Sequence, residues 1–163
     1  MLEDLLNLVK QHAGDAIINN PAIPNEKNEE AVSDASNSIV AGLKGAVANG
    51  NVDGLVNLFK GGAEAAGSSH ITENIKTGYA QDLMNKFGLD HGKASQIAGS
   101  LIPMVLQKFV HKTNDPNDKS FDLQSIITHL TGGVGLQDIM GKFTGGNSGE
   151  EGGIMGKIKG MFS

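Results

Sequence analysis

A short phrase recurs along this chain and constrains its fold more than any other feature. Asp138-Ile139-Met140-Gly141-Lys142-Phe143-Thr144-Gly145-Gly146 echoes Ser125-Ile126-Ile127-Thr128-His129-Leu130-Thr131-Gly132-Gly133. Gly54-Leu55-Val56-Asn57-Leu58-Phe59-Lys60-Gly61-Gly62 states the same pattern earlier. Asp82–Gly88 is a shortened version, Asp4–Lys10 a degraded one, and Ile154–Gly160 repeats the style. Apolar residues three and four apart, followed by glycine, mark a short amphipathic helix with a glycine at its C-terminal end. A chain that repeats such a unit is expected to be assembled from small helical pieces.

The stretches between the repeats carry the same rhythm. Residues 2–18 read as a first helix that Gly14 can interrupt, followed by a connector with Pro21 and Pro24. Ala31, Val32, Ala35, Ile39, Leu43, Ala46 and Val47 fall on one face of a helix from about Asn28 to Val47. Val52–Lys60 is the short closing helix, and the soft stretch Gly61–Ser69 is the candidate boundary between two halves. Ser69 caps a long helix through Ile71, Ile75, Tyr79, Leu83 and Phe87 that Gly88 stops. Asp90 caps the strongest helix, which Pro103 is expected to kink or interrupt. His111–Ser120 is read as a polar turn, and Asp122 caps Leu123–Leu130. No segment alternates with period two over β-branched residues, so the predicted class is all-α.

Two halves share an order of elements. Residues 2–62 run short helix, connector, long helix, turn, short helix, Gly-Gly, and residues 71–133 run helix, tight turn, long helix, polar turn, short helix, Gly-Gly. The closing helices align at an offset of 71 and the opening ones at 78. Duplication with changed loop lengths accounts for both. The expected architecture is a helical bundle of two duplicated three-helix units, 1–62 and 63–133, packed on each other. A Gly-rich C-terminal arm, 134–163, with short amphipathic helices at Leu136–Phe143 and Ile154–Phe162, completes it.

Composition narrows the function. The chain has no Cys, which excludes disulfides, thiolate metal sites and thiol catalysis. All thirteen basic residues are Lys, against eighteen acids, and the pI is near 5.4. Without Arg or a basic excess, nucleic-acid binding is not expected. Met1-Leu2-Glu3-Asp4 opens acidic and runs into helical pattern, unlike a signal peptide. The longest apolar run, Leu101–Leu106, is far short of a membrane span. The expectation is a cytoplasmic protein.

The sequence carries no recognisable catalytic motif. His111 and His129 flank Asp115, Asp118 and Asp122, but no His-x-x-x-His spacing is present, and a turn with helix-end histidines explains them. Asn114–Asp122 lacks the glycine and terminal glutamate of a calcium loop. The glycines follow helices rather than strands, which reads as capping and not as phosphate binding. No metal, cofactor or catalytic residue is assigned. The pointed feature is the face formed by Ile154, Met155, Ile158, Met161 and Phe162, with Lys157 and Lys159 off it. Such a segment docks in a groove of another chain, lies on a membrane surface, or folds back on its own bundle.

Gly88-Leu89-Asp90, the helix Ala94-Ser95-Gln96-Ile97-Ala98 leading to Leu101-Ile102-Pro103, and the tail Gly135–Gly146 together resemble the YidB-like bacterial proteins. The resemblance covers most of 71–146 and, more weakly, 2–62. The first half departs from it, with Ala41 or Gly42 where the second has Pro103. The resemblance implies an all-helical bacterial protein with no recognised catalytic residues or cofactor. The expected function is that of a non-catalytic structural or interaction protein, self-associating as a homo-oligomer or binding another protein. The alternatives are a membrane-peripheral protein anchored by Ile154–Phe162, and a small-ligand binder or enzyme with an unmarked pocket.

Overall fold

The computed structural model describes residues 2–133. Among them every regular element is helical, as the absence of period-two patterning requires. The expected interaction residues Ile154, Met155, Ile158, Met161 and Phe162, and the rest of the arm 134–163, lie outside the described residues.

Helix α1 (Leu2–His12) buries Leu5, Leu8 and Val9. It gives way at Ala13 to one wider turn, Gly14–Ile18, in which the amides of Ile18 and Asn19 reach back five residues to the carbonyls of Ala13 and Gly14. That turn swings Ile17 into the core. Helix α2 (Asn28–Ala48) buries the stripe Ala31, Val32, Ala35, Ile39, Leu43 and Ala46. Helix α3 (Val52–Lys60) is capped by Asn51, whose side chain accepts from the amide of Gly54.

The soft stretch after α3 is not a loop. Gly62–Ser68 forms helix α4, which turns Ala66 inward and packs along the second half's central helix. Ser69 then caps α5 (His70–Phe87), which ends at Gly88 in the left-handed conformation, φ 67°. Asp90 caps α6 (His91–Thr113), which runs unbroken through Pro103. The ring removes one amide from the ladder. Leu101, Ile102, Val105 and Leu106 around it are all buried, and that packing holds the helix together. The polar turn therefore begins at Asn114, later than the sequence implies. Asp122 caps α7 (Leu123–Leu130), whose amide at Ser125 it accepts.

α2 packs on α1 and α5, and α6 packs on α1, α4 and α5. One continuous core runs from Leu5 through Ile39, Leu83 and Leu101 to Leu130, so the two predicted units share their interior. Phe59 of α3, Phe109 of α6 and Phe121 stack edge to face, at 5.8 and 5.4 Å between ring centres. A smaller cluster sits apart, where Val52 of α3 meets Ile127 of α7 with Val56 and Leu123 beside them.

Candidate functional site

The most unusual chemistry among the described residues lies between α2 and α5. Asp34 sits on the apolar stripe of α2, three residues after Ala31, and is 7% exposed. Lys86 of α5 donates to its Oδ1 at 2.8 Å. The other oxygen, Oδ2, is buried without a hydrogen-bond partner among the described residues. One turn further along α2, Ser38 donates to Asp82 of α5 at 3.2 Å. One turn before Asp34, the carbonyl of Ala31 accepts from the Tyr79 hydroxyl at 2.9 Å.

Two of these groups, Tyr79 and Lys86, have raised protonation equilibria. Burial, with the negative charges of Asp34 and Asp82 nearby, pushes the Tyr79 phenol far above its ordinary range, so it remains a neutral donor. The hydrogen bond from Lys86 to Asp34 holds the ammonium above its usual value against the opposing effect of desolvation. The arrangement fixes the register of α2 on α5. The sequence places Tyr79 on a helical stripe but shows none of the contacts of Asp34, Ser38 and Tyr79, because their partners lie 44 to 52 positions away. The available signal was a carboxylate on the apolar stripe Ala31-Val32-Ala35-Ile39.

The histidine and aspartate residues around the polar turn separate into structural tasks. Asp122 caps α7, Asp115 accepts from the amide of Asn117, and Asp118 pairs with Lys112 at 3.4 Å. His111 and His129 lie in the last turns of α6 and α7. No group of three or more potential metal ligands comes together among the described residues. Asn114 instead reaches across to the carbonyl of Phe59 at 2.8 Å, joining the turn to α3.

A shallow groove of about 320 Å³ follows the α5–α6 seam, past Lys76, Gln81, Met84, His91 and Ser95. Lys76 is paired there with Glu73 at 2.8 Å. At the edge of α7, Gln124, Thr128, His129 and Gly132 line a more open hollow. Ile18 and Met104 are the large hydrophobic side chains that stand exposed among the described residues, at 46% and 44%. No helix among those residues is long and apolar enough to cross a membrane.

Compared with protein-family models, curated proteins and solved structures, the chain matches none.

Proposed function

We propose that this chain is a non-catalytic structural or interaction protein that self-associates through helix faces and through its arm, 134–163. The observation that carries this reading is the closed interior of residues 2–133. Their stripes bury one another in a main core from Leu5 to Leu130 and in the smaller Val52–Ile127 cluster. The described bundle therefore supplies its own apolar partners, and we assign the face Ile154, Met155, Ile158, Met161 and Phe162, as the sequence draws it, to another chain. Two duplicated three-helix units fit the same picture. The caps Asn51 and Asp122 align at the offset that also aligns Gly62 with Gly133, and both of those glycines have positive φ. The resemblance to YidB-like bacterial proteins, a cytoplasmic location and the absence of a catalytic role belong to this proposal.

Light scattering over a concentration series tests it. Full-length protein is expected to be a concentration-dependent assembly. The full chain with Ile158→Asp and Phe162→Asp, and the chain ending at Gly133, are expected to be monomers. If the unaltered full-length protein is monomeric at every concentration, self-association is wrong. Co-sedimentation of that monomer with anionic vesicles would then favour the membrane-surface reading, through Lys157 and Lys159 beside the apolar face.

A further inference from the structure

Helix α7 has a near-duplicate in its own chain. Written from Leu123, it reads Leu-Gln-Ser-Ile-Ile-Thr-His-Leu-Thr-Gly-Gly; written from Leu136, the chain reads Leu-Gln-Asp-Ile-Met-Gly-Lys-Phe-Thr-Gly-Gly. Leu, Gln, Ile, Thr and both glycines recur in place, and the remaining apolar positions stay apolar. The structure says what those positions do in α7. Ile126, Ile127 and Leu130 are the buried side chains that hold this eight-residue helix to the bundle. Ile126 and Leu130 enter the main core, and Ile127 meets Val52. The Thr-Gly-Gly ending closes the helix: Thr131 donates to Ile127, Gly133 donates to Thr128, and Gly132 and Gly133 take φ of +73° and +114°. Every position that makes a buried or closing contact in α7 has an equivalent in 136–146: Ile139, Met140, Phe143 and Thr144-Gly145-Gly146.

We infer that the seat of α7, on α2 and beside Val52, is a binding site with two occupants, and that residues 136–146 of the same chain are the second. α7 is short enough to depend on its seat for its helicity, so it can leave as a unit. Thr131–Gly135, five residues, join the two occupants. Such a tether keeps the second at a local concentration that a separate molecule reaches only in the millimolar range. This is why the challenger comes from the same chain. α7 is the resident because Asp122 caps it. Its rival has Gly135 at the capping position and Gly141 in place of Thr128, both weaker choices for a helix. Phe143 in place of Leu130 offsets part of that with a larger apolar surface. The occupant left over presents an unsatisfied apolar helix face, so exchange decides which of two similar segments is offered to a partner.

This inference goes beyond self-association and stands without it, since the exchange takes place within one chain. The absence of cysteine makes the test clean. In the full chain, Val52→Cys is paired separately with Ile127→Cys, Met140→Cys and Lys142→Cys, and disulfide formation is followed under mild oxidation. The Ile127 pair reports α7 in its seat. The Met140 pair is expected to close at least tenfold faster than the Lys142 pair, and within a single chain on a denaturing gel. Equal rates for Met140 and Lys142 would mean mere proximity, and a linked dimer would mean an occupant from another copy; either overturns the inference. A second measurement does not depend on thiols. Ile139→Asp alone is expected to leave the melting temperature unchanged, whereas adding it to Ile126→Asp should lower that temperature well beyond the effect of Ile126→Asp alone. If Ile139→Asp adds nothing in the Ile126→Asp background, the seat has one occupant and the inference fails.

Discussion

Gly42 of α2 lies directly against the side chain of Ile75 in α5, so closely that a methyl group built on Gly42 would overlap Ile75 Cγ1. The pair sets how near these two helices come. Helix propensity alone would reward alanine here by about 0.5–1 kcal/mol. Overpacking a well-filled core typically costs about 1–3 kcal/mol, and Ile75 is itself buried with little room to turn. Gly42→Ala is therefore expected to lower stability in urea unfolding by about 1–2 kcal/mol net. Ile75→Ala removes the obstructing carbons. In that background Gly42→Ala should become neutral or favourable, a coupling that a double-mutant cycle reads directly. Equal effects of Gly42→Ala in both backgrounds would show that the close approach does not govern this interface.

The neighbouring ion pair predicts an asymmetry. Lys86 is half exposed, while the Asp34 side chain is 9% exposed with one oxygen unpaired. Removing the lysine leaves a buried carboxylate alone; removing both charges leaves an apolar contact. Lys86→Met is expected to destabilise the protein, and Asp34→Leu with Lys86→Met to recover most of that loss. Chemical denaturation of the two variants distinguishes the cases. If the double variant is less stable than Lys86→Met alone, Asp34 contributes through something other than this pair.

The legibility of this fold divides along the range of the interactions involved. The caps at Ser69, Asp90 and Asp122 and the stop at Gly88 were readable because each acts within three or four residues of the helix end it serves. The stripes of α2 and α6 were readable because their period is local. Helix α4 was not, because Gly-Ala-Glu-Ala-Ala-Gly-Ser has weak local preference and takes its shape from packing on α6. The continuity of α6 through Pro103 has the same origin, as the buried side chains on both sides of the proline keep the axis together. The contacts of Asp34, Tyr79 and Asn114 join residues about fifty positions apart, and spacing within one helix carries no trace of them. Of the candidate site, the arm residues from Ile154 to Phe162 lie outside the described region, while the α2–α5 cluster emerged only from the fold.

Tyr79 makes the stability of the fold depend on pH on the alkaline side. Its ordinary value is 10.0, and burial with two nearby carboxylates raises it in the folded state. A raised folded value means that the stabilising contribution is complete below pH 10.0 and is lost as pH climbs toward the folded value. Lys86, also raised, acts in the same direction from its ordinary value of 10.5. Tyr79→Phe removes the hydrogen bond to Ala31, which costs about 0.5–1.5 kcal/mol at neutral pH. Above pH 10.0 the variant should lose stability more slowly than the parent, so the gap between them narrows. Parallel stability curves from neutral pH to the alkaline limb would assign the decline to other groups.

The corner between α4 and α5 is held by three oxygen atoms, on Ser69, Thr72 and Ala66. Ser69 Oγ accepts from the amide of Thr72 at 3.0 Å and lies 2.8 Å from the Thr72 hydroxyl, which donates to the carbonyl of Ala66. Thr72 is fully buried, so valine in its place would keep the shape and leave the Ala66 carbonyl without that donor. Thr72→Val is expected to cost about 1–3 kcal/mol through that lost partner. Ser69→Ala removes the cap of α5 and is expected to cost about 1 kcal/mol. Because α4 spans only Gly62–Ser68 and has weak intrinsic preference, the loss should concentrate there. Amide exchange is then expected to accelerate across α4 in Thr72→Val while α5 beyond its first turn keeps its protection. Uniform acceleration over both helices would instead mean that α4 and α5 open together, with the corner making no separate contribution to the seating of α4.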